Sequence, residues 1–134
     1  MNLDTLSAAD LMHPQVEQIA ADVTLRLAAE QMSRAKVYCL LIPPELPGGA
    51  YGVVTSKDIV QVLCRHPATV LEELRVADVM ARPAISVQET MSVRDCLNLM
   101  RMTGVRRVPV LRGAQLVGIL SFTDVFEHVV RNSD

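Results

Sequence analysis

The chain has 134 residues, a formal net charge of −2 and no Trp. Its pI is near 5.9 and no basic stripe is visible, which weighs against nucleic acid as the main partner. Half of the residues are apolar and only 3% are aromatic, so the core must be built from Val, Leu, Ile, Met and Ala.

Met1-Asn2-Leu3-Asp4 has neither a basic n-region nor an apolar h-region, so no secretion signal is expected. No apolar run approaches the length of a membrane span. Cys39, Cys64 and Cys96 form no C-x-x-C pair, and the odd count reads as a reduced, cytoplasmic protein. His13, His66 and His128 stand far apart, so they read as surface or partly buried side chains and no metal is expected.

In chain order, Ala9-Asp10-Leu11-Met12 is followed by Pro14 and a short strand over Val16 to Ile19. Leu25, Ala28, Ala29 and Met32 then fall at i, i+3, i+4 and i+7, the apolar face of a helix. Strands are expected over Val37 to Ile42 and Tyr51 to Thr55, joined by the turn-forming stretch Pro43 to Gly49. A helix beginning at Asp58 presents Ile59, Val60, Val62 and Leu63. Pro67 breaks it, and Thr69 is placed as the cap of a short helix leading into Ala77.

The same order then returns. Ala77-Asp78-Val79-Met80 repeats the opening motif 68 positions on, and Pro83 precedes a strand over Ile85 to Val87. Ser92 is the expected N-cap of the next helix, with Asp95 completing a capping-box pattern and Val93, Cys96, Leu97 and Met100 on its apolar face. Strands over Val105 to Leu111 and Gln115 to Ser121 flank a tight turn at Arg112-Gly113. The last helix begins at Asp124 and presents Val125, Phe126, Val129 and Val130.

The unit is therefore β-α-β-β-α, twice, an α/β (α+β) chain. Repeat 1 is expected over residues 6–66, a linker over 67–75 and repeat 2 over 76–131. The sheets of the two repeats are expected to cover each other with pseudo-twofold symmetry.

Each repeat ends in Gly-x-x-Thr/Ser-x-x-Asp: Gly52, Thr55 and Asp58, then Gly118, Ser121 and Asp124. A glycine admits a close backbone approach. Hydroxyls and free amides at a helix start suit a phosphate, and an ionised Asp, which only accepts, suits vicinal ribose hydroxyls. Thr123 and Lys57 fall inside the two motifs. Helix capping alone would explain the Asp and the hydroxyl, yet it requires neither the glycine nor the duplication.

The order Ala-Asp-x-Met, Pro, helix, Val105-Arg106-Arg107-Val108-Pro109-Val110, Gly118-Ile119-Leu120-Ser121-Phe122-Thr123-Asp124 resembles the cystathionine-β-synthase (CBS) domain, and its duplication resembles a tandem pair, or Bateman module. The resemblance covers the chain from about Leu6 to Val130. It implies a regulatory module, not an enzyme, that holds an adenosine-containing ligand: AMP, ADP, ATP, S-adenosylmethionine or NAD, with no required cofactor. Asp58 and Thr55 would serve one site, and Asp124, Ser121 and Thr123 the other. Gln15, Val16, Ala84, Ile85 and Pro109 would lie near the adenine.

Arg106 and Arg107 are candidate phosphate contacts in the second repeat; the first has Tyr38-Cys39 there, with Lys57 as partial compensation. The second site is therefore favoured for a charged nucleotide. The resemblance further implies a homodimer formed through the helices Lys57 to Leu63 and Thr123 to Val130, and an effector protein that reads the ligand state. A structural dimerisation module with degenerate sites is the alternative.

Overall fold

The computed structural model describes residues 2–132. The chain divides into two compact units: Glu17–Ala84, and the residues up to Val16 together with Ile85 onward. These units do not follow the repeats as they run along the chain. The opening arm of each repeat is built into the unit that holds the other repeat's strands.

In the unit Glu17–Ala84, helix α2 (Leu25–Ala35) lies on strands β1 (Cys39–Ile42) and β2 (Gly52–Thr55), which run into α3 (Ser56–Leu63). A 3-10 turn (Ala68–Glu72) and the short helix α4 (Val76–Val79) complete it. Leu25, Ala28 and Met32 supply the buried face of α2, as the spacing predicts. They pack with Leu40, Ile42, Val54, Ile59 and Val76. Strand β1 pairs antiparallel with β2, Cys39 opposite Thr55 and Ile42 opposite Gly52.

In the other unit, α1 (Ala8–Leu11) joins β3 (Val87–Gln88), α5 (Val93–Thr103), β4 (Arg107–Arg112), β5 (Gln115–Ser121) and α6 (Phe122–Asn132). The sheet order is β3-β4-β5, parallel and then antiparallel. Its core sets Val93, Cys96 and Met100 of α5 against Val108, Val110, Leu120 and Ala8. Ala8 and Val76, at matching places in the two opening motifs, are each fully buried. Helices and strands mix in an α+β fold, as expected.

Several local expectations are corrected. The strand expected over Val16 to Ile19 is a single parallel bridge, Gln18 to Leu41, and its counterpart is only two residues long. The last helix of each repeat starts two residues before its Asp, at Ser56 and Phe122, because the Asp caps from inside the first turn. Ser92 does cap α5, accepting from the Asp95 N–H at 3.1 Å, but only one half of the box forms, with no reciprocal bond from the Asp95 carboxylate. Thr69 lies within the 3-10 turn, whose N-cap position is Pro67. The faces expected on α3 and α6 are largely open: only Ile59 and Val125 are buried, while Val60, Leu63, Phe126, Val129 and Val130 are exposed.

Candidate ligand site

Four aspartates do the same local work. Asp10 and Asp78 of the opening motifs accept the backbone N–H three residues back, from Ser7 at 2.8 Å and Arg75 at 2.7 Å. Asp58 accepts from the Thr55 N–H at 2.8 Å, and the Thr55 hydroxyl accepts from the Asp58 N–H at 3.2 Å. Asp124 and Ser121 repeat that reciprocal pair, both bonds at 3.1 Å. The hydroxyl and the carboxylate of each motif are thus a capping box that satisfies two helix N–H groups.

The glycines have a structural duty as well. A Cβ on Gly118 would stand 2.7 Å from the His13 carbonyl oxygen and 2.5 Å from the Met12 sulfur. At Gly52 the neighbours are the Met80 sulfur at 3.0 Å and the Ala81 carbonyl oxygen at 3.4 Å. Each glycine therefore seats an opening arm against a strand. His13 and Ile119 exchange two backbone hydrogen bonds of 2.9 Å, and so do Val53 and Ala81. Capping needs no glycine; the glycine admits a piece of the chain.

This seating assembles each candidate site from both repeats. Beside Asp124 stands His13, and Gln15 and Val16 follow on the same arm, within the same unit. Strand register sets Arg107 across from Ser121, and the Arg106 carbonyl accepts the Phe122 N–H at 3.0 Å. Arg106, Arg107 and Thr123 are exposed, and Thr123 takes no part in the cap. Pro109 is buried in β4 opposite Ile119, and Ile85 is 38% exposed.

The Asp58 unit offers a matching set. Ala84 belongs to it, its N–H donating to the Tyr51 carbonyl at 2.8 Å. Lys57 is exposed. Asp58 also lines a cleft of about 580 Å³, together with Gln61, Arg65, His66 and Val79.

The carboxylates differ in one respect that the sequence did not signal. Asp124 keeps Oδ2 for the cap, and its Oδ1 meets His13 Nε2 at 2.9 Å. The Asp124 side chain is 15% exposed and that of His13 69%. Among the described residues no ion pair reaches Asp58. The position matching His13 is Ala81, and the next residue, Arg82, turns away to hold the Pro43 carbonyl at 2.8 Å. Sequence reading gave His13 no role, because only the docking of the arm brings it to Asp124.

The family model for the CBS domain matches residues 8–65 and again 76–131. The chain belongs to the CBS-domain family. It is a tandem CBS pair. Hypoxic response protein 1 of Mycobacterium tuberculosis is 31% identical over 124 residues, covering 92% of this chain and 85% of that protein. The hexameric CBS-CP12 protein from bloom-forming cyanobacteria superposes with a TM-score of 0.86 at 29% identity, over 97% of this chain and 72% of that one. The CBS pair of protein MJ0100, solved with 5′-methylthioadenosine and S-adenosyl-L-methionine, has a TM-score of 0.81 at 21% identity, over 96% of this chain and 99% of that one. Among the described residues no helix is long and apolar enough to cross a membrane, and no group of three or more His, Cys, Asp or Glu could hold a metal.

Proposed function

We propose that this CBS pair is a regulatory module that binds an adenosine-containing ligand and has no chemistry of its own. The observation that carries the reading is the division of labour at each motif Asp. One carboxylate oxygen is fixed by the cap, which leaves the other, met by His13 in the case of Asp124, as the oxygen that would accept ribose hydroxyls. Arg106 and Arg107 supply positive charge beside the Asp124 motif, and Arg65 supplies it in the Asp58 cleft. The bound adenosyl ligands of the MJ0100 pair support the ligand class; AMP, ADP, ATP, S-adenosylmethionine and NAD share the recognised ribose.

Gln15, Val16, Ala84, Ile85 and Pro109 are assigned to the adenine side, and Thr55, Ser121, Thr123 and Lys57 to the ribose and phosphate side. The open apolar residues of α3 and α6 are the surface for a homodimer, as in a helix-paired assembly. An effector protein would read the ligand-dependent state. Three cysteines with no C-x-x-C spacing fit a reducing cytoplasm.

The test is thermal unfolding against those five ligands, with Asp58→Ala and Asp124→Ala beside the wild type. A ligand at about 100 times its Kd adds about 2.7 kcal/mol, a shift of roughly 10 °C for a chain of this size. Loss of the shift in one or both variants is the expected result. No shift with any ligand refutes the reading.

A further inference from the structure

We propose that His13 is a built-in competitor for ligand at Asp124, and that the residue at its position sets the relative affinity of the two sites. This rests on the adenosyl reading above. Asp124 Oδ2 is committed to the Ser121 N–H, so Oδ1 is the oxygen left for a ribose, and His13 Nε2 occupies it at 2.9 Å. An imidazole already on Oδ1 takes up acceptor capacity that a pair of vicinal hydroxyls would use, so ring and ribose compete for the same oxygen.

The contact follows from the fold. His13 is fixed by its two backbone bonds to Ile119, the residue after Gly118 in β5. That leaves its side chain one helix start away from Asp124. Ala81 makes the same two bonds to Val53, the residue after Gly52 in β2. A methyl group there cannot reach Asp58. The two units thus differ at one equivalent position in whether the carboxylate is already engaged.

The competition is graded. His13 is 69% exposed and its ring can turn out to solvent, and exposed side-chain pairs of this kind are individually weak. Removing it should tighten binding at Asp124 by about fivefold, not by orders of magnitude. The arginine difference between the repeats favours the Asp124 site for a charged nucleotide, and His13 opposes that advantage.

The experiment is calorimetric titration of AMP, ATP and S-adenosylmethionine into single-site proteins. Asp58→Ala leaves the Asp124 site alone, and Asp124→Ala leaves the Asp58 site alone. Adding His13→Ala to Asp58→Ala should tighten binding about fivefold. His13→Gln keeps a side-chain N–H donor and should stay near the parent affinity. Ala81→His in the Asp124→Ala protein should weaken the Asp58 site by a similar factor. Unchanged or weaker binding in the His13→Ala protein overturns the competition while leaving the adenosyl reading intact. If no protein of the set, wild type included, binds any of the three probes, the adenosyl reading itself falls and the competition falls with it.

Discussion

Gly118→Ala tests how the opening arm is seated. The added Cβ would meet the His13 carbonyl oxygen at 2.7 Å and Met12 Cγ at 2.9 Å, and the carbonyl belongs to a backbone bridge that cannot rotate aside. Overpacking of this kind costs about 1–3 kcal/mol. If the arm lifts to relieve it, the two 2.9 Å bonds between His13 and Ile119 are lost or stretched, at about 1 kcal/mol each. The two routes are alternatives, so a loss of about 1–3 kcal/mol follows. Gly52→Ala is the internal control. Its tightest neighbour is the flexible Met80 sulfur at 3.0 Å and the Ala81 carbonyl lies at 3.4 Å, so the loss should stay near 1 kcal/mol or below. Urea unfolding of both variants measures the difference, and amide hydrogen exchange at Ile119 reports whether the arm has lifted. Equal losses in the two variants, or a Gly118→Ala protein as stable as wild type, would refute the seating argument.

Other consequences concern caps, thiols and charge. Ser92→Ala should cost about 1 kcal/mol and Asp95→Ala under about 0.5 kcal/mol in the same unfolding assay, because only the serine half of that box forms. Lys36 closes α2 at a φ of 57°, where Gly104 closes α5 at 79°, so Lys36→Gly should stabilise the chain by about 0.5–1 kcal/mol. Burial pushes the Cys96 thiol up to about 11, and Cys39 is also buried, so at pH 8 an alkylating reagent should label Cys64 alone until urea is added. The Arg112 guanidinium bonds Glu89 and holds its carboxyl below the usual range. A lowered carboxyl stabilises the fold above its unfolded-state pKa and loses that as pH falls through its folded value. Arg112→Met should therefore be less stable than wild type at pH 7, with the gap closing in acid, as followed by urea unfolding across pH.

The duplicated order of elements, the apolar faces of α2 and α5, the β5 strand from Gln115 to Ser121 and the Ser92 cap were all legible in the sequence. Each depends on neighbours a few positions away, through helical spacing, strand alternation or a turn residue. The family was legible for the same reason, because its motifs are local and recur in order. Other features depended on contacts far along the chain, such as Val53 with Ala81 and His13 with Ile119. Ala8 and Val76 are fully buried, and no local pattern says against which strands. The arms Ala9–Met12 and Ala77–Met80 are nearly identical, and the strands at Gly52 and Gly118 share one glycine-apolar-apolar-hydroxyl pattern, so no local pattern distinguishes one pairing from the other. Tertiary packing seats the first arm on the second repeat's strand and the second arm on the first's. That exchange sets His13 against Asp124 and leaves only Ala81 at the matching place near Asp58, because a histidine's role is decided by what its backbone is bonded to and not by its neighbours in the chain.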